Sequence, residues 1–277
     1  ITKKKEIKRI IKYFENIFVN ILFLFNIGRY FLEKLQLNIG KKRKKVFYKN
    51  NEYFFHVPNR INLWRTQTFL TKEPDTIRWI ENFKVNSVFW DVGANIGLYS
   101  CFASRQKKAK TFAFEPSVFN LEVLSKNIYC NNLSDKIIII PLSLTSETKI
   151  SSFNMSKIEV GGARSSFSEN YDEEGNVFNP VFKYNTLGIS GNDFVKKFNI
   201  DKPDYIKIDV DGIEYLVLNG LSEILDDTSS ILIEVTESFK SKKKKIKEFL
   251  EHRGFTLEKN EFSEKNLSLY NQIWNRN

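Results

Sequence analysis

Cysteine is scarce in this chain, with two residues in 277. Two cannot form a disulfide framework, and no Cys-x-x-Cys pair marks a zinc site, so a reducing compartment is the default expectation. Cys101 and Cys130 both fall on helical patterns and read as packed groups rather than nucleophiles. His56 and His252 stand alone, without a His-x-x-x-His or Cys-x-x-His partner, and give no histidine metal site. Glycine and proline, 12 and 6, are too few for a disordered or collagen-like chain that is 42% hydrophobic. A long hydrophobic run is also missing. Residues 17–27 hold Asn20 and Asn26 and are bounded by Glu15 and Arg29, whereas a spanning helix takes about 20 predominantly apolar residues. A signal peptide fits poorly as well, because Gly28-Arg29-Tyr30 stands where a small-residue cleavage site would follow. The chain opens on Ile1 rather than Met, and a true start upstream is expected.

Positive charge is abundant, at +10 overall. Residues 1–45 carry 13 Lys and Arg against 3 Glu, which accounts for all of it, and residues 46–277 are balanced. A net positive chain invites nucleic acid, an anionic membrane or an acidic substrate as partner. The localisation of the charge makes this a question about one segment. Ile7, Ile10, Ile11, Phe14, Ile17, Phe18, Ile21, Leu22 and Phe25 recur at helical spacing between two basic clusters. Two readings stay open for this basic amphipathic extension. It packs on the body or on a second subunit with solvated lysines, or it lies on an anionic membrane surface.

The rest of the chain, 46–277, reads as one domain. A hairpin over 46–57 precedes a helix over 73–83. Short apolar strands over 87–92, 110–114, 136–141, 205–210 and 230–235 then alternate with helices over 98–104, 118–131, 193–198, 214–225 and 242–253. This is the pattern of an α/β fold with a mostly parallel sheet covered on both faces. Strand-like segments at 255–258 and 268–274 close the chain. Residues 142–187, with Gly161-Gly162 and Asp172-Glu173-Glu174-Gly175, are the least regular part and read as an insertion suited to substrate contacts. Lys242 to Lys245 read as the solvated face of a helix.

The strongest local signal is Val88-Phe89-Trp90-Asp91-Val92-Gly93-Ala94-Asn95-Ile96-Gly97. A strand ends in an acidic residue, and Gly93 and Gly97 straddle the turn into a helix, at the sheet edge where doubly wound folds bind ligands. The next strand ends in Glu115-Pro116, 18 residues after Gly97, near the ~20-residue offset of an acid that binds ribose hydroxyls. The glycine spacing is not the G-x-G-x-x-G that meets a pyrophosphate. Asp91 would repel a pyrophosphate but suits the ammonium of a methionine moiety, which favours S-adenosylmethionine over NAD.

These residues resemble motif I of the FkbM-type S-adenosylmethionine-dependent methyltransferases. The resemblance continues through Phe112-Ala113-Phe114-Glu115-Pro116, Ile206-Lys207-Ile208-Asp209-Val210-Asp211-Gly212-Ile213-Glu214 and Ile231-Leu232-Ile233-Glu234. It implies a Rossmann-like class I methyltransferase fold, a seven-stranded sheet whose last strand, 268–274, runs antiparallel, and acceptors that are hydroxyls of sugars, glycans or polyketides. The family often has Glu where Asp211 stands, and the extension has no counterpart in the motif set. Asp91, Gly93, Asn95, Gly97, Glu115 and Pro116 are the expected cofactor contacts. Ser143, after the third strand, is placed near the adenine, with Asn132 a weaker candidate. Gly161-Gly162-Ala163-Arg164 either closes over the cofactor, binds an anionic substrate through Arg164, or is a plain surface loop.

Asp209, Asp211 and Glu214 bring three carboxylates to the end of a central strand. A hydroxyl is a poor nucleophile unless its proton is taken as it attacks. Asp209 or Asp211 is the candidate to position the hydroxyl and take that proton, with Glu234 as second choice. Paired carboxylates would also suit a divalent cation, and Asp211 with Glu214 would equally stabilise a helix start. Lys207 points away from its Ile neighbours and has a carboxylate within reach as partner.

The expected function is therefore an S-adenosylmethionine-dependent O-methyltransferase acting on a hydroxyl of a sugar, glycan or related metabolite. Its expected place is the cytoplasm, peripheral to the inner face of the membrane if the extension binds there. The alternatives are an RNA methyltransferase and a non-catalytic membrane-associated module that keeps the cofactor fold. Nucleic acid is disfavoured by the neutral body and by Asp209-Val210-Asp211-Gly212 where an amino-methylating enzyme would show Asn/Asp-Pro-Pro-Tyr/Phe.

Overall fold

The structure, a computed structural model, describes residues 2–171, 175–237, 239–263 and 266–276. Asp172, Glu173 and Glu174, part of the stretch read as irregular, lie outside the described residues. Two helices come first, α1 (Thr2–Phe23) and α2 (Asn26–Gly40), followed by a hairpin of β1 (Arg43–Tyr48) and β2 (Asn51–His56). The hairpin pairs from Arg43↔His56 to Tyr48↔Asn51, so the last three basic residues of the expected extension belong to a strand of the body. Helices α3 (Arg60–Lys72) and α4 (Pro74–Glu81) lead into β3 (Val88–Val92), α5 (Leu98–Lys107), β4 (Lys110–Phe114), α6 (Val118–Cys130) and β5 (Ile137–Ile140).

The sequence pattern gives no helix at α3, and the reason is its buried face. That face consists of Asn62, Thr66 and Phe69, so a period sought among apolar residues misses it. Asn59 caps the helix through its side chain, which accepts from the Asn62 N–H at 2.9 Å. Pro74 opens α4, where its missing N–H costs nothing.

The expected insertion is a second sheet, built from β6 (Ser143–Leu144), β7 (Lys149–Met155), β8 (Ser165–Phe167) and β9 (Phe182–Ile189) in the order β6-β9-β7-β8. After it come α7 (Gly191–Phe198), β10 (Tyr205–Ile208), α8 (Glu214–Gly220), β11 (Ser230–Thr236), α9 (Lys240–His252), β12 (Phe255–Ser263) and β13 (Asn266–Arg276).

The main sheet has seven strands in the order β12-β13-β11-β10-β3-β4-β5. Only β13 runs antiparallel to its neighbours, pairing with β11 and β12, while β11-β10-β3-β4-β5 are parallel. This is the Rossmann-like sheet of class I methyltransferases. Its strands are apolar on both sides because both sides are covered. Trp90, Val92, Phe112, Ile206, Ile208 and Ile231 pack with residues of α7, α8 and α9. Phe89, Ala113, Tyr205 and Leu232 pack with residues of α3 to α6. The chain winds from β3 outward through β4 and β5, then crosses back to β10. The resulting switch point, at the carboxyl ends of β3 and β10, is where such sheets leave a crevice.

Candidate active site

A cavity of about 470 Å³ opens at that switch point. Val92, Gly93, Asn95, Glu115, Pro116, Ser143, Asp209, Asp211 and Glu234 all line it. Five chain segments thus deliver to one place most of what the sequence pattern nominates.

Gly93 has φ +85°, and a Cβ on it would lie 2.0 Å from the Asp209 carbonyl oxygen. The glycine is required by the neighbouring strand end as much as by any ligand, since a side chain there would push β10 away. Gly97, φ +77°, does not line the cavity. A Cβ there would meet the Leu124 side chain at 2.3 Å. Asp91 does not line the cavity either. It is 1% exposed, and its Oδ2 accepts from the Ser100 hydroxyl at 2.5 Å. Its other oxygen, Oδ1, is buried without a hydrogen-bond partner.

Glu115 is held by two backbone donors, Asn95 N–H at 2.7 Å and Ser117 N–H at 2.8 Å, one on each carboxylate oxygen. The Asn120 side chain adds a third hydrogen bond, and the carboxylate keeps acceptor capacity for a ligand hydroxyl. Burial pushes this carboxyl up, to about 7, against the pull of those N–H bonds. The folded state therefore holds the Glu115 proton more tightly than the unfolded chain. That contribution to stability is fully present below the ordinary carboxyl range and is lost as pH rises through about 7. The Glu115→Gln variant is expected to lose on the order of 3 kcal/mol less stability than the wild type between pH 4.5 and 7.5, measured by urea unfolding across that range.

The Gly161-Gly162 loop is tied over this region. Asn95 Nδ2 donates to Gly162 O at 2.8 Å, Arg65 Nε donates to Gly161 O at 2.8 Å, and Gly161 N–H donates to Asn120 Oδ1 at 2.8 Å. Asn59 Nδ2 donates to Val160 O at 2.9 Å. These bonds hold the loop against the cavity. Arg164 lines the cavity with Ala163 and Ser165.

The residues fit an adenosyl-type ligand. Ser143 Oγ, Ser117 Oγ and Asn95 Oδ1 are buried without a hydrogen-bond partner, in a cavity they line beside Glu115 and the apolar Phe114, Leu142 and Leu144. Buried polar atoms of this kind are costly unless something satisfies them. Asn132, the weaker adenine candidate, is not among the lining residues.

The other end of the cavity holds a charge network built around the buried Lys207. Lys207 Nζ donates to Asp209 Oδ2 at 2.5 Å, and the Lys207 side chain is 1% exposed. Lys72 Nζ donates to Glu73 Oε1 at 2.6 Å, and Tyr99 Oη donates to Glu73 Oε2 at 2.9 Å. Glu234 hydrogen-bonds Asp209. Four carboxyl groups surround two ammonium groups here, so they do not all ionise together. Burial alone would raise Asp209, but the Lys207 and Lys72 ammoniums reverse it and hold its carboxyl at about 2. Glu73 is held down in the same way by Lys72 and Lys207. Burial beside the Asp209 and Glu73 charges pushes Glu234 well above the usual carboxylate range. Burial also raises Asp91, against Lys207 and Ser100. The two ammonium groups thus favour the ionised forms of Asp209 and Glu73, while Glu234 and Asp91 are pushed toward their protonated forms, and Glu234 hydrogen-bonds Asp209.

Asp209 and Asp211 do not share a strand face, because β10 ends at Ile208. Asp211 Oδ2 instead accepts from Ser165 N–H at 3.0 Å. Glu214 leaves the site altogether. It lies 2.7 Å from Lys242 in a buried pair and accepts from Gly212 N–H at 3.0 Å, so Lys242, expected on a solvated face, is 7% exposed. Cys101 is buried and Cys130 half-buried. Among the described residues no group of three His, Cys, Asp or Glu stands in metal-holding geometry. Lys72, Glu73 and Tyr99 escaped the sequence pattern. Their only local signal is the Lys72-Glu73-Pro74 junction of two helices, and their meeting with Asp209 is purely tertiary.

The sheet order, the lone antiparallel β13 and the site at the β3/β10 switch point define a class I methyltransferase. A family model described as "Methyltransferase FkbM domain" matches residues 91–257, and the chain belongs to that family. It is 30% identical over 182 residues to the hexuronic acid methyltransferase AglP of Haloferax volcanii, covering 65% of this chain and 69% of that protein. It is 26% identical over 203 residues to the methyltransferase sdnD of Sordaria araneosa, covering 64% of this chain and 77% of that one. Among solved structures, a methyltransferase FkbM from Methylobacillus flagellatus aligns with TM-score 0.49 at 14% identity, covering 70% of this chain and 44% of that chain. S-adenosylmethionine is the methyl donor that the fold and the family imply.

Proposed function

We propose that the chain transfers a methyl group from S-adenosylmethionine to a hydroxyl of an acidic sugar or glycan. The observation that carries this reading is the lining of one cavity. Glu115 and the unpartnered Ser143 lie with Asp209, Glu234 and three cations, Arg65, Lys72 and Arg164. The likeness to a hexuronic acid methyltransferase supports the acidic sugar, since cations at the cavity wall suit a sugar carboxylate. Trp64 lines the same wall and is 49% exposed, a flat apolar surface for a sugar ring.

S-adenosylmethionine supplies an electrophilic methyl group on a sulfonium sulfur. Glu115 would accept from the ribose hydroxyls, and Ser143 and Asn95 would pair with polar edges of the same ligand. Asp209 accepts the hydrogen bond of the acceptor hydroxyl and so aims an oxygen lone pair. Orientation of this kind is worth up to ~7–11 kcal/mol. A carboxylate held at about 2 is too weak a base to deprotonate a free hydroxyl. It takes the proton only as the C–O bond forms and the oxygen becomes acidic, so Asp209 acts late. Lys207, Lys72 and the hydrogen bond from Glu234 favour its ionised form and hold it in place.

The test is a transfer assay with methyl-labelled S-adenosylmethionine and matched sugars. Label is expected in a uronic-acid-containing glycan at a rate at least tenfold above its neutral counterpart. Equal rates overturn the acidic acceptor, and label in RNA but not in sugars overturns the reading as a whole.

A further inference from the structure

The extension is left bare. From residue 5 to residue 40 every side chain is exposed except at Leu22, Gly28, Leu32 and Gly40. Phe14, Phe18, Leu24 and Ile27 are 63%, 61%, 75% and 81% exposed, and Ile7, Ile10, Ile11, Phe25, Tyr30 and Phe31 are each at least half exposed. A contiguous apolar and aromatic surface of this size on a soluble chain marks an interaction site. The bend between α1 and α2 is tight, since a Cβ on Gly28 would lie 2.2 Å from Leu22 O. Gly40 O meets His56 Nδ1 of the hairpin at 3.1 Å.

We propose that α1 and α2 form a helical hairpin that seats in one leaflet of an anionic lipid bilayer and holds the methyltransferase body at its surface. The bend itself, Leu22 to Ile27, is uncharged, while Glu15 on one leg and Arg29, Glu33 and Lys34 on the other are left to reach toward the headgroups. Lys8, Arg9 and Lys12 on α1, and Lys41, Lys42, Arg43, Lys44 and Lys45 after α2, bracket the apolar bend. At about 1.5 Å per residue, residues 13–23 rise roughly 16 Å, close to half of a ~30 Å hydrocarbon core. The bend therefore reaches the acyl chains while both basic clusters stay among the headgroups, each basic residue attracted to anionic lipid. No single described helix is long and apolar enough to cross a membrane, and α1 with α2 reach that composition only as a pair bent by 120°. A hairpin lying in one leaflet is consistent with that bend.

Other occupants fit less well. A second copy docked through the same face would set one +10 segment against another. Nucleic acid would answer the lysines but leave Phe14, Phe18, Leu24 and Ile27 in water.

The test is flotation of the full chain with two vesicle types, phosphatidylcholine alone and phosphatidylcholine with about 30% phosphatidylglycerol. The chain is expected to float with the anionic vesicles at least tenfold better than with the neutral ones. Replacing Lys8, Arg9 and Lys12 by Gln is expected to weaken that partition about a hundredfold. The combined Phe14→Ser, Phe18→Ser and Phe25→Ser variant is expected to weaken it at least as much, with S-adenosylmethionine affinity unchanged in both variants. Equal flotation with neutral vesicles, or serine substitutions without effect, overturns the proposal. A stable lipid-free dimer that the same serine substitutions dissolve assigns the face to a second copy and overturns it too. RNA binding tighter than vesicle binding and indifferent to those substitutions assigns the face to nucleic acid, with the same consequence.

Discussion

Asp209→Asn is expected to cut kcat by about 10²–10⁴-fold, the range for removal of a positioned proton acceptor, while S-adenosylmethionine affinity changes by less than threefold. The amide keeps the size of the carboxylate but loses both the charge that answers Lys207 and Lys72 and the oxygen that accepts the hydroxyl proton. Glu234→Gln is the contrasting variant. Burial beside the Asp209 and Glu73 charges pushes Glu234 toward its protonated form, so an amide that still hydrogen-bonds Asp209 is expected to hold kcat within a few-fold of wild type. Steady-state kinetics at saturating acceptor, with isothermal titration of the cofactor, separate the two. Full turnover in Asp209→Asn would make the carboxylate structural. A thousandfold loss in Glu234→Gln would mean that the ionised form of Glu234 carries the reaction.

Gly93→Ala is expected to be the most damaging single methyl group in the body. Its Cβ would sit 2.0 Å from the Asp209 carbonyl oxygen, against backbone that has no rotamer to yield. The positive φ adds roughly 1–2 kcal/mol for any L side chain, and the separation of β3 from β10 adds more, for a loss above ~4 kcal/mol. The same displacement moves Asp209 away from the cavity, so residual folded enzyme is also expected to be slow. Gly97→Ala carries the same φ penalty but meets only Leu124 Cδ1, at 2.3 Å, the mobile end of a side chain. It is expected to cost less than half as much. Denaturant unfolding of both variants checks this, and equal losses would mean that the β3–β10 contact is not the constraint.

The parts legible in the sequence are those carried by local pattern. The strands β3, β4, β10 and β11 are short apolar runs because both faces are buried, and Glu115 and Asp209 lie just past strand ends. The less legible parts depend on what a residue meets. Helix α3 hides its buried face in Asn62, Thr66 and Phe69, and it delivers Lys72 to a carboxylate that the chain supplies far downstream. Asp91 carries the motif's charge outside the cavity lining, with Ser100 on one of its oxygens and the other buried without a partner. Asp209 and Asp211 lie two residues apart, yet β10 stops at Ile208 and the loop sends Asp209 to Lys207 and Asp211 to Ser165. Glu214 and Lys242 each looked solvated or catalytic alone and are buried only as a pair.

The most direct measurement of the proposed chemistry is the fate of the transferred label in mild alkali. A hexuronic acid offers two kinds of oxygen, its hydroxyls and its carboxylate, and both accept a methyl group. The full chain is incubated with methyl-labelled S-adenosylmethionine and a uronic-acid glycan, and the purified product is treated with dilute base. Asp209 placed to receive a hydroxyl proton calls for an ether, so the label is expected to stay on the sugar. Release of the label as methanol would reveal a methyl ester and contradict the assignment of Asp209 as acceptor of a hydroxyl proton.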